Sequence, residues 1–224
     1  MNNTASQRTT DSRGRIRREN EARILEAAER VFAEAGLAGA TMAQIAQAAG
    51  LPKANLHYYF GTKEQLYQAV LTAILELWLD ATDAMLPSSD PSQALAGYVR
   101  AKMRHSRTRP FASKVFASEL LSGAPYLTDY LEIDLKQRVE AKSRIIAGWI
   151  AEGRMAALDP RHLFFMIWAM TQTYADFAVQ IRAVMSVDSL SDAAWEEATD
   201  EVIAFVLRGC GIAPAGTASS KAIQ

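Results

Sequence analysis

Residues 41–66 read TMAQIAQAAGLPKANLHYYFGTKEQL, and this stretch decides the fold. Thr41 is a good helix N-cap, and Met42, Ile45, Ala46 and Ala49 follow it at helical spacing. Gly50 supplies the left-handed residue that ends a helix. Pro52, with its fixed φ, suits the first position of another, expected to run through about Tyr58. Thr62 is then an N-cap for a fourth helix. Short helices joined by a glycine turn form a helix-turn-helix, with Ala46 and Ala49 small where helices cross.

In such a motif the last short helix lies in the major groove of duplex DNA. Leu56 and Phe60 anchor that helix, which leaves Lys53, Ala54, Asn55, His57 and Tyr58 on its free face. Lysine donates to guanine, asparagine pairs with adenine, and an alanine methyl meets the thymine methyl, so these residues are candidate base readers. Tyr58, Tyr59 and Phe60 are adjacent and cannot all face one side of a helix, so at least one faces outward.

Helical periodicity continues in both directions from this core. Ile24, Ala28, Val31, Phe32 and Ala35 predict a first helix over 17–35, stopped by Gly36. A long helix is expected over 63–85, with further helices over 91–107, 110–122, 126–152, 160–185 and 192–208, divided by prolines and glycines. At Asp159-Pro160 an N-cap precedes a proline at the first helical position. The expected fold is all-α, an N-terminal three-helix helix-turn-helix domain followed by a helical ligand-binding and dimerisation domain. Its expected divisions are a flexible basic arm (1–16), the DNA-binding domain (17–62), the larger domain (63–208) and a flexible tail (209–224).

Charge follows the same division. The net charge is −1, yet residues 1–63 carry nine Arg/Lys against six Asp/Glu, and five of those arginines fall between Arg8 and Arg18. A basic arm of this kind suits a polyanionic partner.

The pattern T-x-x-x-I-A-x-x-A-G-L-x-K-x-x-L-x-Y-Y-F-x-x-K-E-x-L from Thr41 to Leu66 resembles the TetR family of transcriptional repressors. The resemblance implies a homodimer on a pseudo-palindromic double-stranded operator, released by a small-molecule effector. It also implies phosphate contacts from Thr41, Tyr58, Tyr59 and Lys63. Pro52 departs from the family, which has a small hydroxyl residue there. This removes a backbone donor and a hydroxyl from the DNA face.

The second half resembles a pyrimidine-responsive subgroup of the family, on Trp78, on Ser118 to Pro125, on Lys142-Ser143 with Ala147-Gly148-Trp149, and on the run Asp159 to Ala178. The effector implied is uracil or thymine, controlling pyrimidine-utilisation genes. The alternative is a TetR-type repressor answering an unrelated hydrophobic compound. Candidate effector residues are Trp78, Ser118, Trp168, Gln172, Tyr174, Asp176 and Phe177. Gln172 both donates and accepts, the aromatic residues offer stacking surface, and Asp176 either accepts a ring N–H or ties the core. Ile167, Met170, Val179 and Phe205 are candidate dimer-interface residues on the last two long helices.

Other functions find no support in the residues. His105 and His162 have no partner at metal-ligand spacing, and Ser118-Glu119 stands in no nucleophile-elbow motif, so neither a metal, a cofactor nor catalysis is expected. A single cysteine, Cys210 in the expected tail, and the lack of a long apolar run point to a cytoplasmic protein without membrane contact.

Overall fold

The computed structural model describes residues 4–212, with side chains from Gly14 onward. The described residues are mostly helical, with no strand among them. Helices α1 (Thr4–Gly39), α2 (Met42–Ala49), α3 (Lys53–Phe60) and α4 (Lys63–Asp80) are followed by α5 (Pro91–Thr108), α6 (Pro110–Leu121) and α7 (Thr128–Tyr130). A turn of π-helix at Leu131–Leu135 leads into α8 (Lys136–Ala151), then α9 (Pro160–Asp176), α10 (Ala178–Met185) and α11 (Asp192–Gly209). No helix among the described residues is long and apolar enough to cross a membrane.

The chain forms two compact units. One comprises the residues up to Ile74 with Lys114–Tyr126, the other Leu75–Ser113 with Leu127 onward. The first unit takes in the first turns of α4. The reason is packing: Leu66, Tyr67, Val70 and Leu71 on the first turns of α4 are buried, and Tyr67 meets Phe32 of α1 edge-on at 5.0 Å.

Several elements end where local chemistry places the end. Thr41 caps α2 in a capping box with Gln44, and Gly50 closes it at φ 63°. A side chain at Gly50 would also crowd the Arg23 guanidinium, which donates to the Ala49 carbonyl at 2.8 Å. Thr62 caps α4, its hydroxyl accepting the Gln65 N–H at 3.2 Å. Asp159 caps α9 ahead of Pro160, as expected.

Other boundaries differ from expectation. Helix α1 begins at Thr4, so residues 4–16 are helical in place of the expected arm, continuous with the turns anchored by buried Ile24 and Ala28. At Gly36 the backbone leaves helical geometry (φ 68°, ψ 172°) at the predicted stop. Pro52 is the N-cap of α3, one position earlier than expected, and the helix runs on to Phe60. Helix α4 stops at Asp80, five residues early, where the buried Thr82 hydroxyl donates to the Leu79 carbonyl at 2.8 Å. The expected helix over 160–185 is two, broken at Phe177 (φ −112°, ψ 30°).

The core of the second unit is built by α5, α8, α9 and α11 around Leu95, Trp149, Phe164 and Val206. Cys210 belongs to this core and is fully buried, and its carbonyl accepts the Ala156 N–H at 2.8 Å. Of the expected tail, residues from 213 onward lie outside the described residues. Ile167 is also enclosed in this core, so its expected place in a dimer interface is corrected: it serves the packing of its own chain.

Candidate functional site

Helix α3 is held by a single deep anchor, Leu56, which is fully buried. Lys53, Ala54 and His57 are exposed, Asn55 and Tyr59 half-buried, and the Tyr58 side chain stands 74% exposed. The outward aromatic required by the Tyr-Tyr-Phe run is therefore Tyr58. Its ring meets Tyr59 edge-on, and the Tyr59 hydroxyl accepts a hydrogen bond from Asn20 of α1 at 3.4 Å. His57 donates from Nδ1 to the Gly61 carbonyl at 2.8 Å, which fixes the ring. Thr41 is exposed at the start of α2, its hydroxyl accepting the Gln44 N–H.

Lys63 is placed differently from the other expected DNA contacts. Its ammonium donates to the carbonyls of Leu37 at 2.6 Å, Ala40 at 3.0 Å and Ala38 at 3.5 Å. Three donors meet three carbonyl oxygens left open where α1 ends. In the free chain these oxygens hold the Lys63 ammonium at the end of α1.

In the second unit the expected effector residues divide. Trp78 carries the ammonium of Lys102 over its ring, 4.3 Å from the centroid, so one face expected for stacking is occupied by a cation. Asp176 accepts the Ser113 hydroxyl at 2.5 Å and acts electrostatically on Lys102. Trp168 donates its indole N–H to the Tyr98 hydroxyl at 2.7 Å, and Gln172 is half-buried on the same helix. Tyr174 turns toward α11 and packs on Trp195 with ring centroids 5.8 Å apart. Phe177 is 59% exposed at the end of α9. Ser118 lies in the first unit, exposed, and its carbonyl accepts the Ser122 hydroxyl at 2.8 Å.

Sequence reasoning missed the α5 residues of this group. Burial lowers the Lys102 ammonium to about 8, against a smaller opposing pull from Asp176. His105 is lowered to about 4 by burial and by the like charges of Arg104, Lys102 and Arg109. Buried Glu119, set aside at the sequence level, accepts from the Tyr67 hydroxyl at 3.1 Å and from the Tyr126 N–H at 2.7 Å. No group of three or more metal-binding side chains occurs among the described residues.

An exposed polar recognition helix in a three-helix head, on a chain that continues into a separately packed helical unit, defines a helix-turn-helix regulator. Residues 24–70 match the bacterial regulatory proteins of the tetR family, and residues 71–213 match the C-terminal region of YcdC-like proteins. The chain is 42% identical over 202 residues to the HTH-type transcriptional regulator RutR of Escherichia coli (strain K12), spanning 90% of this chain and 95% of that one. It is 35% identical over 150 residues to the regulator BetI of Rhizobium meliloti (strain 1021), spanning 61% and 72%. Among solved structures it resembles the ketosteroid transcriptional regulator KstR2 of Mycobacterium tuberculosis, with a TM-score of 0.63, 21% identity and coverage of 85% and 94%. AibR in complex with isovaleryl coenzyme A and operator DNA gives a TM-score of 0.62 at 19% identity, with coverage of 87% and 98%.

The chain belongs to the TetR family and is a DNA-binding transcriptional regulator, not an enzyme.

Proposed function

We propose that this regulator is a pyrimidine-responsive repressor: a homodimer that holds a pseudo-palindromic operator and lets go when uracil or thymine binds its C-terminal unit. The observation that carries the DNA half is the face of α3, where Leu56 is buried while Lys53, Ala54, His57 and Tyr58 are exposed. In this reading Lys53, Ala54, Asn55 and His57 meet base edges, and Thr41, Tyr58 and Tyr59 meet phosphates. The head lies within 17–62, and residues beyond it bind the effector and the second protomer.

The effector half is supported by the resemblance running from Trp78 to Ala178 and by the aromatic and polar groups on α4, α5 and α9. Dimerisation through α9 and α11 is supported by Phe165, Met166 and Phe205, all exposed there. Helix α4, Lys63–Asp80, carries Trp78 and follows the DNA-binding head directly in the chain, so an effector that moves Trp78 acts on the helix that leads back to the head. A shift of that helix changes the separation of the two recognition helices from the roughly 34 Å that successive major grooves demand.

Fluorescence anisotropy on duplexes from the gene's own flanking DNA, at fixed salt, tests both halves. The expected result is binding at least about 10³-fold tighter to one site than to random duplex. Uracil or thymine should weaken it by about 5- to 150-fold. Binding without site preference refutes the repressor reading. A preference that both pyrimidines leave unchanged refutes only the effector.

A further inference from the structure

The seam between α5 and α9 holds three buried α5 side chains spaced one turn apart, Tyr98, Lys102 and Ser106. The outer two are satisfied across the seam: Tyr98 accepts from the Trp168 indole at 2.7 Å, and Ser106 donates to the Thr171 carbonyl at 2.8 Å. The middle one is not. Lys102 is 3% exposed, its ammonium rests on the Trp78 ring, and it makes no hydrogen bond among the described residues. The ammonium is not fully sealed off, so its donors are open to solvent or to a ligand.

The surroundings restrict what that completing group is. Asp176 of α9 is the charged group that acts on Lys102, and it opposes an anionic ligand. On α5 itself, His105 feels Lys102, Arg104 and Arg109 as like charges and stays neutral, so it neither balances nor replaces the ammonium. Trp78 and Trp168 bring indole rings to this group. We infer that Lys102 is the residue that reads the effector, donating from its ammonium to a carbonyl oxygen of a flat, uncharged ring. This rests on the pyrimidine reading above and specifies its polar contact: a ring carbonyl is the feature recognised, and a ring without one is rejected.

The test is calorimetric titration of the full chain with uracil and thymine, for the wild type and for Lys102→Met, which keeps the apolar stem. Operator binding without effector serves as the folding control and is expected to be unchanged. Loss of a charge-assisted hydrogen bond should weaken pyrimidine binding by about 10- to 150-fold in the variant. Since the free ammonium titrates near 8, wild-type affinity should fall by about fourfold between pH ~7 and ~8.5, beyond any fall seen in Lys102→Met. If Lys102→Met binds uracil within twofold of the wild type, with the same pH profile, Lys102 does not read the effector and the pyrimidine reading survives. If the wild type itself shows no heat with either pyrimidine, that underlying reading fails and takes this inference with it.

Discussion

Replacing Lys102 by methionine is expected to stabilise the effector unit even as it removes the effector's donor. The lysine titrates near 10.5 when solvated and at about 8 in the fold, because burial disfavours its charged form. That displacement corresponds to about 3 kcal/mol of penalty on the folded state at neutral pH. Losing the ammonium's contact with the Trp78 ring returns about 1 kcal/mol, so the net gain is about 2 kcal/mol. Between 8 and 10.5 the unfolded chain still holds the proton that the folded chain has released. The penalty is therefore complete below pH 8 and fades as pH rises toward 10.5. Trp78, Trp149, Trp168 and Trp195 all fall in the second unit, so tryptophan fluorescence during urea unfolding reports on that unit alone. At pH ~7 the midpoint of Lys102→Met should rise by about 1 M, and at pH ~9.5 the advantage should shrink by about half. A variant less stable than the wild type at neutral pH would refute the idea that the apo core is strained by an unused charge.

Four further outcomes check other parts of the molecule. Lys63→Met should lower the stability of the head by about 1–3 kcal/mol by orphaning three carbonyls; a variant that melts normally but binds all DNA weakly would put Lys63 on the phosphate backbone. Glu119→Leu should cost about 2 kcal/mol, because the Tyr67 hydroxyl and Tyr126 N–H lose a buried acceptor, and should speed hydrogen exchange at the Tyr126 amide; unchanged exchange there would contradict it. His105 is held neutral, its folded value of about 4 lying below the usual 6.5, so stability should drop as pH falls between those values; His105→Gln should flatten that part of the acid-unfolding curve. Asn55→Ala should reduce discrimination between operator and single-base variants by about 1–3 kcal/mol while leaving nonspecific affinity nearly intact, and a uniform loss across sequences would mean that Asn55 reads no base.

What was legible in the sequence depended on how far apart the interacting residues lie. The capping box at Thr41, the left-handed Gly50 and the Asp159-Pro160 start are decided within three or four residues, and each stands where the spacing predicts. The outward Tyr58 followed from helical geometry alone. Lys63 did not, because its carbonyl partners are 23 to 26 residues upstream and emerge only once α1 and α4 are packed together. The break at Phe177 was equally hidden, since no proline or glycine marks it.

The effector group shows a legible signal that went unused. The sequence reading names Trp78, Trp168 and Asp176 as effector residues and does not name Lys102. Yet Leu95, Tyr98, Val99, Lys102, Met103 and Ser106 form a single stripe at three-to-four spacing, and every one of them is buried. A lysine in the middle of an apolar stripe conflicts with the pattern around it, and such conflicts concentrate where function opposes stability. The uninterrupted stripe that Lys102→Met would create is the better core, which is the conflict expected where a side chain serves a ligand and not the packing.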